Sequence, residues 1–167
     1  HITSPLANIN RTCQTCHRQS EETLRQNVYE RQEKVFDIRN RVEKELARAH
    51  IEAKFAWEKG ATEKEMEPIL TALRKSQWRW DFAVASHGAS FHAPQEVTRI
   101  LGVALNYAQT ARIDIARVLA RHGYSKEVLM PDISTKDKAQ SYIGLDMKKL
   151  KAQKKNFIDN VVPQWVK

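Results

Sequence analysis

Cysteine is nearly missing from this 167-residue chain. There are two, held together as Cys13-Gln14-Thr15-Cys16. A disulfide tying distant parts of the chain together is therefore excluded. Glycine and proline are also scarce, with five of each, and long stretches contain neither, which argues against a turn-rich all-β fold. No apolar run reaches the roughly 20 residues that a membrane-spanning helix needs. No alternating pattern of useful length marks a strand, and no tandem repeat is visible. The chain opens at His1 rather than at a methionine, with no signal peptide ahead of it. The first residues, HITSPLANIN, read like the interior of a protein, so the expectation is a piece of a longer chain.

What is present suits one folded domain with a real core: 41% hydrophobic and 29% charged residues. The formal net charge is +8, which favours anionic partners in general terms. Its densest patch is Lys148, Lys149, Lys151, Lys154 and Lys155. Elsewhere the positive charge is mixed with Glu along helical stretches. With no recognised nucleic-acid motif and no aromatic stacking pattern, a solvated helix face outweighs a nucleic-acid site.

The apolar spacing predicts an all-α fold of long helices packed as hairpins. From Glu21 to about Lys59, Val28, Val35, Val42, Ala49 and Ala56 recur every seventh residue, a coiled-coil-like stripe. Ser20 caps that helix and Gly60 ends it. Thr62 and Glu65 form a capping box for a second helix, with Pro68 inside it as a candidate kink and Gly88 as a candidate stop. The aromatic group Trp78, Trp80 and Phe82 reads as core. A third helix starts at Pro94 and ends near His122-Gly123. Residues 124–144 read as a connector, and a last helix runs from about Leu145 to Val161. The organisation is then a lead-in over 1–20, a long-helix region over 21–123, and a connector with C-terminal helix over 124–167.

Chemistry concentrates at Cys13-Gln14-Thr15-Cys16-His17. C-x-x-C reads as half a zinc site, a thioredoxin-like pair, or a haem attachment. Zinc needs two further ligands at matching spacing, and no second C-x-x-C exists. A redox pair wants a strand before it and a βαβ setting. C-x-x-C-H is the sequence that attaches haem c: two thiols reach the two vinyl groups on one porphyrin edge, and the next residue brings an imidazole over the ring to the iron. Cys13 and Cys16 are the expected thioether anchors and His17 the expected iron ligand.

A sixth ligand has several candidates. His50, His87 and His122 read as surface histidines, Met66 as surface or packing, and Met130 and Met147 as packing. His92 sits in the break Phe91-His92-Ala93-Pro94, where an iron ligand and a hydrogen-bonded core histidine are equally good readings. His1 cannot be judged from the residues around it.

Four stretches together resemble a known family. They are His1-Ile2-Thr3-Ser4-Pro5-Leu6, Cys13-Gln14-Thr15-Cys16-His17, Gln77-Trp78-Arg79-Trp80-Asp81-Phe82 and Phe91-His92-Ala93-Pro94-Gln95-Glu96. In order and spacing they are similar, over nearly the whole chain, to the C-terminal part of the pentahaem, ammonia-forming cytochrome c nitrite reductases. The resemblance implies that Cys13, Cys16 and His17 hold the last of five haems. It implies that His92 is the distal ligand of the preceding haem, and His1 that of an earlier one, both haems being attached elsewhere. The distal ligand of the haem attached here would lie upstream.

The resemblance also implies a homodimer through the long helices and an electron-donor cytochrome as partner. The family's catalytic haem hangs on a C-x-x-C-K motif, which this chain lacks, and the nitrite pocket and calcium site belong to the same missing region. The whole protein is expected to reduce nitrite to ammonia with six electrons, whereas this chain alone is expected to be inactive and to hold no catalytic residue. Thioether attachment of haem in bacteria takes place outside the cytoplasm, so the periplasm is the expected location. The rival expectation is a multihaem electron-transfer cytochrome with a helical dimer domain and no enzymatic activity.

Overall fold

The computed structural model describes residues 3–165. All regular structure among them is helical. The described chain divides into two compact units, one running to Val128 and one starting at Leu129.

The first unit is built on three long helices: α1 (Glu21–Glu58), α2 (Glu63–Ala85) and, after the short α3 (Ala89–His92), α4 (Pro94–Arg121). α1 starts where Ser20 accepts a hydrogen bond from the Thr23 amide at 3.2 Å, with Glu21 and Glu22 in the first turn facing the positive end of the helix dipole. Gly60, at φ +92°, supplies the left-handed residue that ends the helix and turns the chain. The capping box at Thr62 forms as expected. The Glu65 amide donates to Thr62 Oγ1 at 3.3 Å, and the Thr62 amide donates to Glu65 Oε2 at 3.0 Å. α2 continues through Pro68.

α4 packs along both α1 and α2, and the three helices bury residues at matching intervals. On α4 these are Val97, Leu101, Ala104, Ala108, Ala111, Ile115 and Val118, alternating steps of four and three. α2 contributes Met66, Ile69, Leu73 and Ser76, and α1 contributes Val42, Leu46, Ala49, Ala53 and Ala56. That spacing is the seam of a coiled-coil-like bundle. Each buried Leu, Ile or Met contributes about 1.5–3 kcal/mol. Ser76 is fully buried, and its hydroxyl donates to the Ala104 carbonyl at 2.7 Å, so its polarity is satisfied inside the seam.

Two charged clusters fix α4 against its neighbours. Arg112 donates through Nη2 to Glu52 Oε1 and through Nη1 to Glu45 Oε2, both at 2.7 Å. Glu52 is only 8% exposed, so this pairing offsets the cost of burying its charge. Hydrogen bonding to Glu52 is the main cause that raises the Arg112 pKa further above its ordinary value. At the end of α4, His122 Nε2 lies 3.0 Å from Glu65 Oε2, and Arg121 Nε donates to Glu65 Oε1 at 3.2 Å. Glu65 thus closes its own helix cap and grips the far end of α4. His122 is half-buried, which corrects its expected place on the surface.

Other expectations need correction too. Trp80 is half-buried, but Trp78 and Phe82 are exposed and stack on each other with centroids 5.8 Å apart. α2 ends at Ala85, ahead of Gly88. α3 forms where only an interruption was expected. The second unit carries α5 (Lys136–Tyr142), inside the stretch read as a connector, and α6 (Met147–Asn160), which starts two residues later than expected. Thr135 and Asp146 cap them, accepting from the amides of Lys138 and Lys149.

Leu101→Ala is expected to destabilise the fold by about 2–5 kcal/mol in urea melts, because Leu101 is wholly inside the seam. The pH dependence has a defined sign. The Thr62 amide, His122 and the Thr62 hydroxyl hold the Glu65 carboxyl at a pKa of about 2, below its ordinary value of 4.5. Its stabilising effect is therefore fully present above pH 4.5 and fades as pH falls toward 2. Thermal melts of wild type and Glu65→Gln should differ most above that window and converge below it.

Candidate haem-binding site

The segment ahead of α1 is a chain of three short 3-10 turns: Pro5–Ala7, Ile9–Arg11 and Cys13–Thr15. Thr12 ties them together. Its Oγ1 shares its proton between the Pro5 carbonyl at 3.0 Å and the Asn8 carbonyl at 2.8 Å. The segment is attached to α1 at two points. Ile9 is buried to 1% exposure in the turn that packs on α1, and Arg25 Nη1 donates to the Leu6 carbonyl at 3.1 Å. Gln14 Nε2 donates to the Gln19 carbonyl at 2.9 Å, drawing the end of the segment back toward the helix start.

Cys13, Cys16 and His17 share one turn. The amides of Cys16 and His17 both donate to the Cys13 carbonyl, at 3.2 and 2.9 Å. Both cysteines are free; Cys13 is half-buried, Cys16 and His17 are exposed. The Thr12 hydroxyl lies 3.6 Å from Cys13 Sγ. This donor set fits haem c: two unjoined thiols on a single turn, followed directly by an imidazole open to solvent. Among the described residues, no group of three or more His, Cys, Asp or Glu side chains comes together as a metal site.

His92 closes α3 and is exposed, its ring against Phe91 with centroids 4.5 Å apart. The core-histidine alternative does not hold. His92 lines an open groove of about 840 Å³ together with Arg31, Lys34 and Arg99. Arg31 Nη1 donates to the Phe91 carbonyl at 2.9 Å, tying the turn that carries His92 to α1. His17 and His92 therefore belong to separate segments, each resting on α1. His50 and His87 are exposed, and Met66 is wholly inside the core. His1 lies outside the described residues.

The sequence matches the family model of cytochrome c552 over residues 1–167. The chain belongs to the cytochrome c552 family. It is 69% identical over 167 residues to a cytochrome c-552 of Porphyromonas gingivalis, covering 100% of this chain and 34% of that protein. The cytochrome c-552 of Bacteroides thetaiotaomicron is 64% identical over 166 residues, and that of Parabacteroides distasonis 62% over 167; the shares covered are 99% and 100% of this chain, and 34% of each relative. The chain thus spans about a third of the length of the curated relatives it matches. Membership in this cytochrome family implies haem c as the cofactor.

Sequence reasoning missed the cationic residues beside His92. The signal was there: Arg31 and Lys34 lie one helical turn apart, beside Val35 of the buried stripe. Nothing in the sequence told which distant segment they would face. At the thiols, exposure makes a simple prediction. In the haem-free chain both should react with a disulfide reagent under native conditions, Cys16 faster than Cys13; stopped-flow absorbance would resolve the two phases.

Proposed function

We propose that this chain is the C-terminal part of an ammonia-forming nitrite reductase. In this reading it carries one electron-transfer haem and supplies distal histidines to haems attached elsewhere in the protein. The observation that carries the proposal is the Cys13–His17 turn, which places two free thiols, one half-buried and one exposed, and an exposed imidazole on a single loop.

Each thiol would add its S–H across one vinyl group, an attachment with no net oxidation. Haem, when bound, supplies one-electron chemistry. His17 would hold the iron of the haem attached here. His92, exposed on a different segment, would serve the preceding haem, and His1 an earlier one. Iron held between two histidines has no open position, which suits electron relay and leaves nitrite chemistry to another haem. That haem, with its lysine ligand and the nearby calcium, belongs to the portion of the protein that this chain does not span.

The whole protein then takes nitrite to ammonia with six electrons from a donor cytochrome, and works in the periplasm, where haem c is attached. The long helices pair two copies of the protein. Exposed Trp78 and Phe82 on α2, and Phe36 on α1, are large apolar surfaces of the kind that a partner or the rest of the chain covers.

The test uses the parent protein, made in a host that attaches haem c. Cys13→Ser combined with Cys16→Ser should lower the pyridine haemochrome count by one haem per chain. The unaltered protein should form one ammonium for every six electrons consumed with nitrite. Full haem loading with no ammonium formed would overturn the enzyme reading in favour of an electron carrier.

A further inference from the structure

We infer that the groove in front of His92 receives the carboxylate edge of a haem, with Lys34 pairing with a propionate and Arg31 positioning the turn that carries the histidine. The inference rests on the reading of His92 as an iron ligand. A haem is an apolar plate with two carboxylates on one edge. A site for it therefore needs a ligand, apolar walls and at least one cation that is free to pair. The groove of about 840 Å³ is within the range of roughly 300–1,000 Å³ typical of cofactor sites. It presents His92, the apolar side chains of Val35 and Pro94, and three cations. None of its lining residues is acidic.

The three cations are not equivalent. Arg99 is already engaged: its Nε and Nη2 donate to the two carboxylate oxygens of Glu96, at 2.7 and 2.6 Å. Arg31 is turned to the Phe91 carbonyl, where it acts through the backbone next to His92. Lys34 alone of the three has no hydrogen-bond or ion-pair partner among the described residues. It is exposed and directly precedes buried Val35, so the helix fixes the base of its stem while its ammonium group can reach along the groove. A cation paired with a propionate also offsets negative charge close to the iron, which favours the reduced state and raises that haem's potential.

The experiment compares Lys34→Gln, Lys34→Glu and Lys34→Arg in the haem-loaded parent protein. Resonance Raman spectroscopy reads the propionate bending bands, and spectroelectrochemical titration reads the individual haem potentials. The expected result is a downward shift of one haem's potential in Lys34→Gln, a larger one in Lys34→Glu and recovery in Lys34→Arg. The bands of that same haem should move and the others should stay. Unchanged bands and potentials in Lys34→Glu at full haem content would overturn the inference. So would a change confined to the nitrite concentration dependence, which would assign Lys34 to the substrate anion. His92→Ala separates this from the reading beneath it. If no haem changes its spectrum in that variant, His92 is not a ligand; if one does while the Lys34 variants stay silent, only the propionate pairing fails.

Discussion

The fold depends on how closely α4 can approach α1 and α2, and small side chains set that approach. Ala49 and Ala56 on α1, and Ala104, Ala108 and Ala111 on α4, are all fully buried. Interaxial distance between helices follows the bulk of the residues at the contact, and a close-packed interior has no spare volume into which a larger residue could relax. The bulkier Met66, Ile69, Leu73, Leu101 and Ile115 fill the remaining space. Close approach also brings the Ser76 hydroxyl within bonding reach of a backbone carbonyl on the facing helix, a contact that wider spacing would break.

This tight seam makes the first unit a rigid frame, and the chemistry is hung on its edges. The Cys13–His17 turn lies ahead of the N-terminus of α1. The His92 turn crosses the same helix further along, fastened by Arg31. α1 therefore spaces the two segments that carry Cys13–His17 and His92, the second of which also packs on the core through Ala89. The Arg112 cluster and the Glu65 clamp stop α4 from sliding along α1 and α2.

Much of this was legible in the residues. The seven-residue recurrence from Val28 to Ala56 marks the buried stripe of α1, because a helix must turn one face to its neighbours. The Thr62–Glu65 cap and the Gly60 stop are local chemistry and form as read. Pairings between distant positions were not legible. Arg112 finds Glu52 sixty residues away, and no local rule selects that partner among many glutamates. α3 and α5 are too short to show a helical period. Trp78 and Phe82 carry the composition of core residues, and the pattern cannot tell a surface awaiting a partner from one already buried. The C-x-x-C-H motif is local and stands in the sequence, but the groove beside His92 exists only once α1 and the start of α4 lie together.

The loop bearing the two thiols is fastened to the frame by little more than Ile9 and one arginine–carbonyl contact. Neither thiol nor the adjoining imidazole lends any surface to the helical interior. The helical interior can consequently assemble without any contribution from these three side chains.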